Sequence, residues 1–417
     1  NLVFIYYIGA YAWDDGAITL AYGQTIAHYG KFALTGASEI VEGSSSLSLI
    51  FLTAVVTKLF HFDFYNLITW SQINTLIFTV MTLWLTYTLI ARNFKNKNYA
   101  LSITFLVGLF PMYSAEIMNG MEMTLFSTLL LLFILAYEKK SVSLYLLIPL
   151  LLLTRFESIF YLGLTLLALL IFDKNNRNFI LKIMLTTIVC FILFSLLRYD
   201  YFGDFMPNTI WAKMHTPYSS PDLFQKVEGG KDFFDVFNLM LVMLFLFLLK
   251  RNKEQELKDI KFWLIISFFI FSLVTGKNWG YTGRMFLAVL PIIAIFFILQ
   301  VSNFSELKLT LSNQTMCWTA SEKAKFIIII AVLLIALIAN KSLWLTNIQV
   351  ARTGGYYQGK YLPEFIYNKY YKKLPVIYDF GITPENYKIT GTTVDEIRLN
   401  LGLKTIKFMV PDVGGTS

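Results

Sequence analysis

Apolar residues in this chain fall into long unbroken runs separated by short polar clusters. They do not show the two-residue alternation of a half-buried strand. The runs cover residues 66–91, 99–113, 123–138, 142–154, 157–172, 179–198, 233–250, 261–275, 285–302 and 325–345. A shorter run, 1–12, stops at Trp13-Asp14-Asp15. A spanning helix needs about 20 residues, so this run is expected to be the exit half of a first span. The stretch 46–61 is apolar but holds Ser46, Ser48 and Lys58 and ends at His61-Phe62-Asp63, which predicts a juxtamembrane helix. Beyond 345 the pattern changes. Residues 346–417 are polar, with strand-like Leu374 to Phe380 and Thr405 to Val410 and a helix-like Thr393 to Leu401. A small extracytoplasmic α/β domain, incomplete at its C-terminal end, is expected there.

Composition sharpens the picture. Of 417 residues, 56% are apolar and 15% charged, and the mean hydropathy is +0.58. Soluble domains carry about 25% charged residues, so disorder, fibrous repeats and an ordinary soluble enzyme are excluded. The expected fold class is an all-α polytopic membrane protein with about eleven transmembrane helices over 1–345, followed by the α/β domain 346–417. Continuous runs argue against an outer-membrane barrel. The net charge of +8 reads as cytoplasmic loops rather than nucleic-acid binding. With 46–61 at the interface, the loops 92–97, 138–140, 174–177, 250–261 and 303–324 share one side and hold most of the Lys and Arg between spans, which makes that side cytoplasmic. Two cysteines, Cys190 and Cys317, cannot build a disulfide framework. No Walker loop, zinc spacing, dinucleotide fingerprint or Gly-x-Ser-x-Gly elbow occurs.

The same parity gathers the polar clusters 13–45, 114–122, 155–157, 199–232 and 276–284 on the opposite side. Polar groups at membrane depth are costly and mark sites. Asp14 and Asp15 are adjacent carboxylates whose repulsion favours one proton acceptor near neutral pH; the plainer alternative is a helix end facing water. Glu42 lies in the loop that follows them. Glu122 opens a run and either caps the helix N-terminus or serves a site. Arg155 and Glu157 flank a junction of two runs, as an ion pair between helix ends or as a phosphate clamp. The segment from Arg198 to Lys213 holds Asp204, Asn208 and many aromatics, with Gly203 and Pro207 fixing its backbone path. Gly276 to Arg284 offers Lys277, Trp279, Tyr281 and Arg284 within nine residues. Cations bind phosphate and aromatics stack on sugar or isoprenoid, unless the loop is only an aromatic belt.

These segments resemble the GT-C glycosyltransferases, and most closely the arabinofuranosyltransferase group that completes mycobacterial arabinan. Trp13 to Thr19 and Glu39 to Leu47 resemble that group's first extracytoplasmic loop, Asp-Asp-Ala-x-Ile followed by Val-Glu-Gly-Tyr-Thr-Ser-Pro-Leu-Trp. Asn119-Gly120-Met121-Glu122-Met123-Thr124-Leu125-Phe126 is similar to Ser-Gly-Met-Glu-Thr-x-Leu-Phe. Arg155-Phe156-Glu157-Ser158 is similar to Arg-Pro-Glu-Gly. Tyr201 to Thr209 resembles Tyr-Tyr-Gly-Asp-Leu-x-Pro-Asn-Thr, and Gly276 to Leu287 resembles a late Gly-Gly-Asp-Trp to Arg-Phe-Leu loop. Ser45, Ser46 and Ser48, Phe156, and Lys277-Asn278 depart from the pattern.

The resemblance implies a bacterial inner-membrane enzyme that takes a sugar from a polyprenyl-phosphate donor. It would pass that sugar to an envelope glycan or glycoprotein on the extracytoplasmic face. Asp14 would be the general base, and Asp15 would orient the acceptor or a divalent cation. Arg155, Lys213, Lys277 and Arg284 would neutralise the donor phosphate. Glu42, Glu122, Glu157, Asp204, Asn208, Trp279 and Tyr281 would line the sugar and acceptor pocket. Asp14, Asp15 and Glu122 offer oxygen ligands for a divalent cation, although nothing requires a metal. The Lys, Asn, Ile and Phe bias points to an AT-rich bacterial genome, so the acceptor need not be arabinan. The competing reading is a lipid-linked glycan flippase or transporter, which would carry charges at mid-span and discontinuous helices in matched halves.

Overall fold

The computed structural model describes residues 14–44, 46–207, 230, 233, 236–238, 254–275, 285–302, 307–311, 314–318 and 321–339. The described chain is helical apart from one short hairpin. In order, the helices are α1 (Asp14–Tyr29), α2 (Leu47–Phe60), α3 (Phe64–Ala91), α4 (Lys97–Gly108), α5 (Pro111–Asn119), α6 (Met123–Glu138), α7 (Leu144–Thr154), α8 (Ser158–Phe172), α9 (Arg177–Phe202), α10 (Ile260–Thr275), α11 (Leu290–Ser302) and α12 (Glu322–Ala339). Strands β1 (Leu307–Leu311) and β2 (Gln314–Trp318) pair antiparallel between α11 and α12.

Local chemistry sets most of the boundaries. Asp63 caps α3 by accepting the Asn66 N–H at 2.7 Å, and Asn96 caps α4 by accepting the Asn98 N–H at 3.0 Å. Pro111 sits at the first position of α5, where its missing N–H costs nothing. Gly120 ends α5 at φ 66°, and a Cβ there would lie 2.1 Å from the Ser71 hydroxyl. Only glycine fits that turn.

The core separates two kinds of apolar helix. In α11 every residue from Leu290 to Ile298 is buried, as expected of a helix that is hydrophobic all round. Helix α9 has a long apolar middle but buries only Ile180, Ile183, Thr187 and Arg198. Eight of its aliphatic residues between Leu181 and Leu197 are 41–64% exposed. Helices α8 and α10 meet through Tyr161 stacked on Phe268, with ring centroids 3.9 Å apart. Phe233 and Phe237 pack against Phe286, and Phe233 also against Phe269 of α10.

The expected runs and the observed helices agree closely at 123–138, 142–154, 157–172 and 261–275. Three expectations need correction. The sequence reads as an extracytoplasmic loop over 13–45, yet Asp14–Tyr29 is a helix that packs on α2. The segment 114–122 was likewise expected as a loop, yet most of it belongs to α5, because Leu109, Phe110 and Pro111 break the run 99–113 into two helices. The basic loop 303–324 contains the hairpin. Among the described residues, two helices are long and apolar enough to cross a membrane, Asn66–Ala91 and Lys174–Phe202; six shorter apolar helices are 11 to 16 residues long, and α12 has 18 residues with three charges in its first turn. The first run 1–12 and the C-terminal domain 346–417 lie outside the described residues.

Contacts define two ends of the bundle. At one end Glu138 at the foot of α6 meets Arg92 at 3.4 Å and Lys261 at 2.8 Å. Lys140 reaches Asn176 at 2.6 Å, and the Asn96 N–H reaches Glu322 at 3.1 Å. At the other end lie α1, α2, the segment 30–46, the α5–α6 junction, the α7–α8 junction and the last turn of α9.

Candidate active site at the arginine–carboxylate end

The α7–α8 junction is three residues long, and Arg155 leaves α7 with an extended backbone. That turns its buried side chain inward to the start of α6. Its Nη1 donates to Glu122 Oε1 at 2.5 Å and its Nε to Glu157 Oε1 at 2.8 Å. Its Nη2 also donates to Glu157 and contacts Met285 Sδ at 3.4 Å. One guanidinium therefore holds two carboxylates, leaving a formal charge of one minus in a buried triad. The ion-pair alternative for Arg155 describes this geometry.

Glu122 precedes α6 but makes no side-chain cap there. The Met123 N–H is accepted instead by Glu116 of α5 at 2.7 Å, from a side chain that is fully buried. Glu122 is thereby free to turn toward Arg155. Its second oxygen, Oε2, is buried and has no hydrogen-bond donor among the described residues. A buried carboxylate oxygen left without a donor is uncommon in folded proteins.

A second buried pair stands nearby. Arg198, in the last turns of α9, donates from Nε to Glu42 Oε2 at 2.8 Å and from Nη2 to Glu42 Oε1 at 2.7 Å. This bidentate clasp spans 156 residues of sequence and ties the segment after α1 to the last turns of α9. The ring of Phe156 lies 5.1 Å from the Arg198 guanidinium. The face of Phe156 takes up one side of the cation.

Around Glu42 the chain is fixed by short-range bonds. The Tyr22 hydroxyl donates to the Val41 carbonyl at 2.7 Å, Thr19 meets Ser44 at 2.9 Å, and Thr25 donates to the Leu34 carbonyl at 3.0 Å. Burial raises the Tyr22 pKa, the backbone at Gly43 opposes that shift, and the Glu42 charge adds to it. Tyr22 therefore stays a neutral donor at physiological pH. The Phe32 N–H donates to the Tyr201 hydroxyl at 3.2 Å, and Ser48 meets Thr154 at 2.8 Å.

Asp14 and Asp15 occupy the first turn of α1. Gly16 brings that turn against the α5–α6 junction: a Cβ on Gly16 would lie 2.6 Å from the Asn119 carbonyl. The side chains of Asp14 and Asp15 lie outside the described residues, as do Asn208, Lys213, Lys277, Trp279, Tyr281 and Arg284. Asp204 is exposed just past α9, beside Phe205 stacked on Tyr199 at 4.4 Å. Among the described residues, no group of three or more His, Cys, Asp and Glu is placed to hold a metal ion.

Two charged residues of this end were not singled out from sequence as site residues: Arg198 and Glu116. Arg198 had a signal, a lone arginine closing an apolar run. Glu116 had none, because one acid in a polar stretch is unremarkable.

Comparison with protein-family models, curated proteins and solved structures finds no match.

Proposed function

We infer that the chain is a polytopic membrane glycosyltransferase of GT-C type. It moves a sugar, a pentose such as arabinofuranose, from a polyprenyl-phosphate donor to an envelope glycan or glycoconjugate. Transfer takes place at the extracytoplasmic face of a bacterial inner membrane. The observation that carries this reading is convergence. Segments that resemble the family's motifs are far apart in sequence yet meet at one end of the bundle: α1 touches Asn119, Arg155 holds Glu122 and touches Met285, and Glu42 clasps Arg198 just before Tyr201. The basic loops collect at the opposite end, where they fit a cytoplasmic surface. The exposed aliphatic face of α9 supports the membrane setting, since soluble proteins rarely show apolar patches of that extent.

The chemistry follows from the leaving group. The acceptor oxygen forms a bond to the anomeric carbon as the bond from that carbon to the donor phosphate oxygen breaks, with inversion. The acceptor proton goes to a carboxylate, assigned to Asp14, while Asp15 orients the acceptor. Polyprenyl phosphate departs as a stable anion, so a general acid is not required, unlike in glycoside hydrolysis. Lys213, Lys277 and Arg284 meet the growing phosphate charge. Arg155, already engaged by two carboxylates, acts as the post that aims Glu122 and Glu157 at sugar hydroxyls.

The test is a transfer assay on full-length protein with a radiolabelled polyprenyl-phosphate pentose and envelope extract. Wild type should transfer, and Asp14→Asn should lose roughly a hundredfold or more in rate while still binding donor. Equal rates would remove Asp14 from the role. A protein that moves intact lipid-linked sugar across vesicles without transferring it would favour the transporter reading.

A further inference from the structure

At the opposite end of the bundle, helix α6 closes in a turn that strains a lysine. The Lys140 N–H donates to the Tyr137 carbonyl at 3.0 Å and the Ser141 N–H to the Ala136 carbonyl at 2.8 Å. This closing pattern places the residue between them in the left-handed region, where glycine is favoured. Here that residue is Lys140, at φ 51°. Among the described residues, His61 is the other non-glycine residue with a positive φ. Such a conformation persists where the surroundings hold it. Lys140 Nζ donates to Asn176 Oδ1 at 2.6 Å and lies 5.8 Å from the centre of the Phe179 ring. Asn176 is fixed in turn by donating to Asp173 Oδ2 at 2.8 Å. The turn itself asks for glycine, so the ammonium is what lysine adds.

This contact joins the loop after α6 to the turn between α8 and α9, and four exposed cations sit on the two segments: Lys139, Lys140, Lys174 and Arg177. The acids beside them are engaged, Glu138 by Arg92 and Lys261 and the buried Asp173 by Asn176. Exposed apolar side chains follow at once. Val142, 79% exposed, Tyr145 and Leu146 lie at the start of α7, and Leu181 and Leu185 in the early turns of α9, which packs beside it. Spacings of three and four put each set on one helix face. We propose that Lys140, with Lys139, Lys174 and Arg177, holds the phosphodiester of an anionic phospholipid whose acyl chains lie along α7 and α9. Cations at the rim meet the headgroup charge, and the aliphatic faces below meet the chains. A nucleic acid or an acidic protein segment would match the charge but leave those faces uncovered. The inference rests on the membrane setting of the proposed function, but not on its sugar chemistry.

The test titrates full-length protein in a neutral detergent with dioctanoyl phosphatidylglycerol and dioctanoyl phosphatidylcholine, and native mass spectrometry counts the bound lipid. Phosphatidylglycerol should bind at least about tenfold more tightly than phosphatidylcholine. Lys140→Gly should weaken it about fivefold, while the unfolding midpoint holds or rises because glycine suits the turn. Lys174→Gln combined with Arg177→Gln should weaken it about twentyfold. Lys95→Gln, which removes an exposed cation outside this contact, should change it by less than about twofold. Equal binding of the two lipids, unchanged phosphatidylglycerol binding by Lys140→Gly, or an equal loss from Lys95→Gln overturns the proposal. Should Lys140→Gly fail to fold, unchanged binding by the Lys174→Gln and Arg177→Gln pair overturns it equally. Protein that stays soluble without detergent would remove the membrane setting and this proposal together, whereas detergent-dependent protein indifferent to lipid charge would remove this proposal alone.

Discussion

The two ends of the bundle use the same ion-pair chemistry at different depths. At the Arg155 and Arg198 end the pairs are arginine–carboxylate and almost wholly buried. At the Glu138 end the carboxylate is about a third exposed, and Arg92 nearly half exposed. A buried pair is poor value as a source of stability, because desolvation consumes most of the Coulomb attraction. It holds its geometry tightly, however, since neither partner can leave without stranding a charge. A half-wet pair costs little and fixes little. The contrast separates a tightly held net-negative triad at Arg155 and a neutral clasp at Arg198, where the family-like segments meet, from a partly solvated network around Glu138 in which Lys261 alone is buried.

The first way to break the contrast is at Arg198. Arg198→Leu should destabilise by about 3–5 kcal/mol, because Glu42 is left charged and buried. The double variant with Glu42→Leu should recover most of that loss, and thermal unfolding in detergent measures both. Gly120→Ala comes next. It forces alanine to a positive φ and onto Ser71, and should cost about 1–3 kcal/mol by the same measurement. Glu122→Gln keeps the shape of the triad but halves its acceptor charge. Transfer should fall about tenfold, equivalent to about 1.4 kcal/mol of transition-state stabilisation, with a smaller change in unfolding midpoint. At the other end, Arg92→Ala should change stability by less than about 1 kcal/mol. A large loss there would mean that the two ends do not differ as described.

How much of this was legible beforehand depends on range. The bounds of α6, α7, α8 and α10 follow from runs of Leu, Ile and Phe, and come out within a few residues. Helix α1 was hidden because its Gly, Thr and Gln residues interrupt any apolar run. The β1–β2 hairpin carries a readable signal, since Leu307-Lys308-Leu309-Thr310-Leu311 alternates with period two, although its basic surroundings resemble a solvated loop. Asp204, Glu42, Glu122, Arg155 and Glu157 could be singled out by their depth in an apolar chain. Their partners could not. The contact between Glu42 and Arg198 spans 156 residues of sequence, and no local period encodes it. The exchange by which Glu116 takes the α6 N-terminus and frees Glu122 was equally invisible, because both carboxylates look alike in sequence.

A transferase of this kind requires the two ends to face different compartments, and impermeant thiol labelling measures that directly. In a background with Cys190 and Cys317 replaced by serine, single cysteines are placed at the exposed positions Asp204 and Lys95. Asp204→Cys should react with a membrane-impermeant maleimide in intact spheroplasts, and Lys95→Cys only after permeabilisation. Labelling of Lys95→Cys from outside, with Asp204→Cys protected, would put the arginine–carboxylate end in the cytoplasm and contradict the proposed site of transfer.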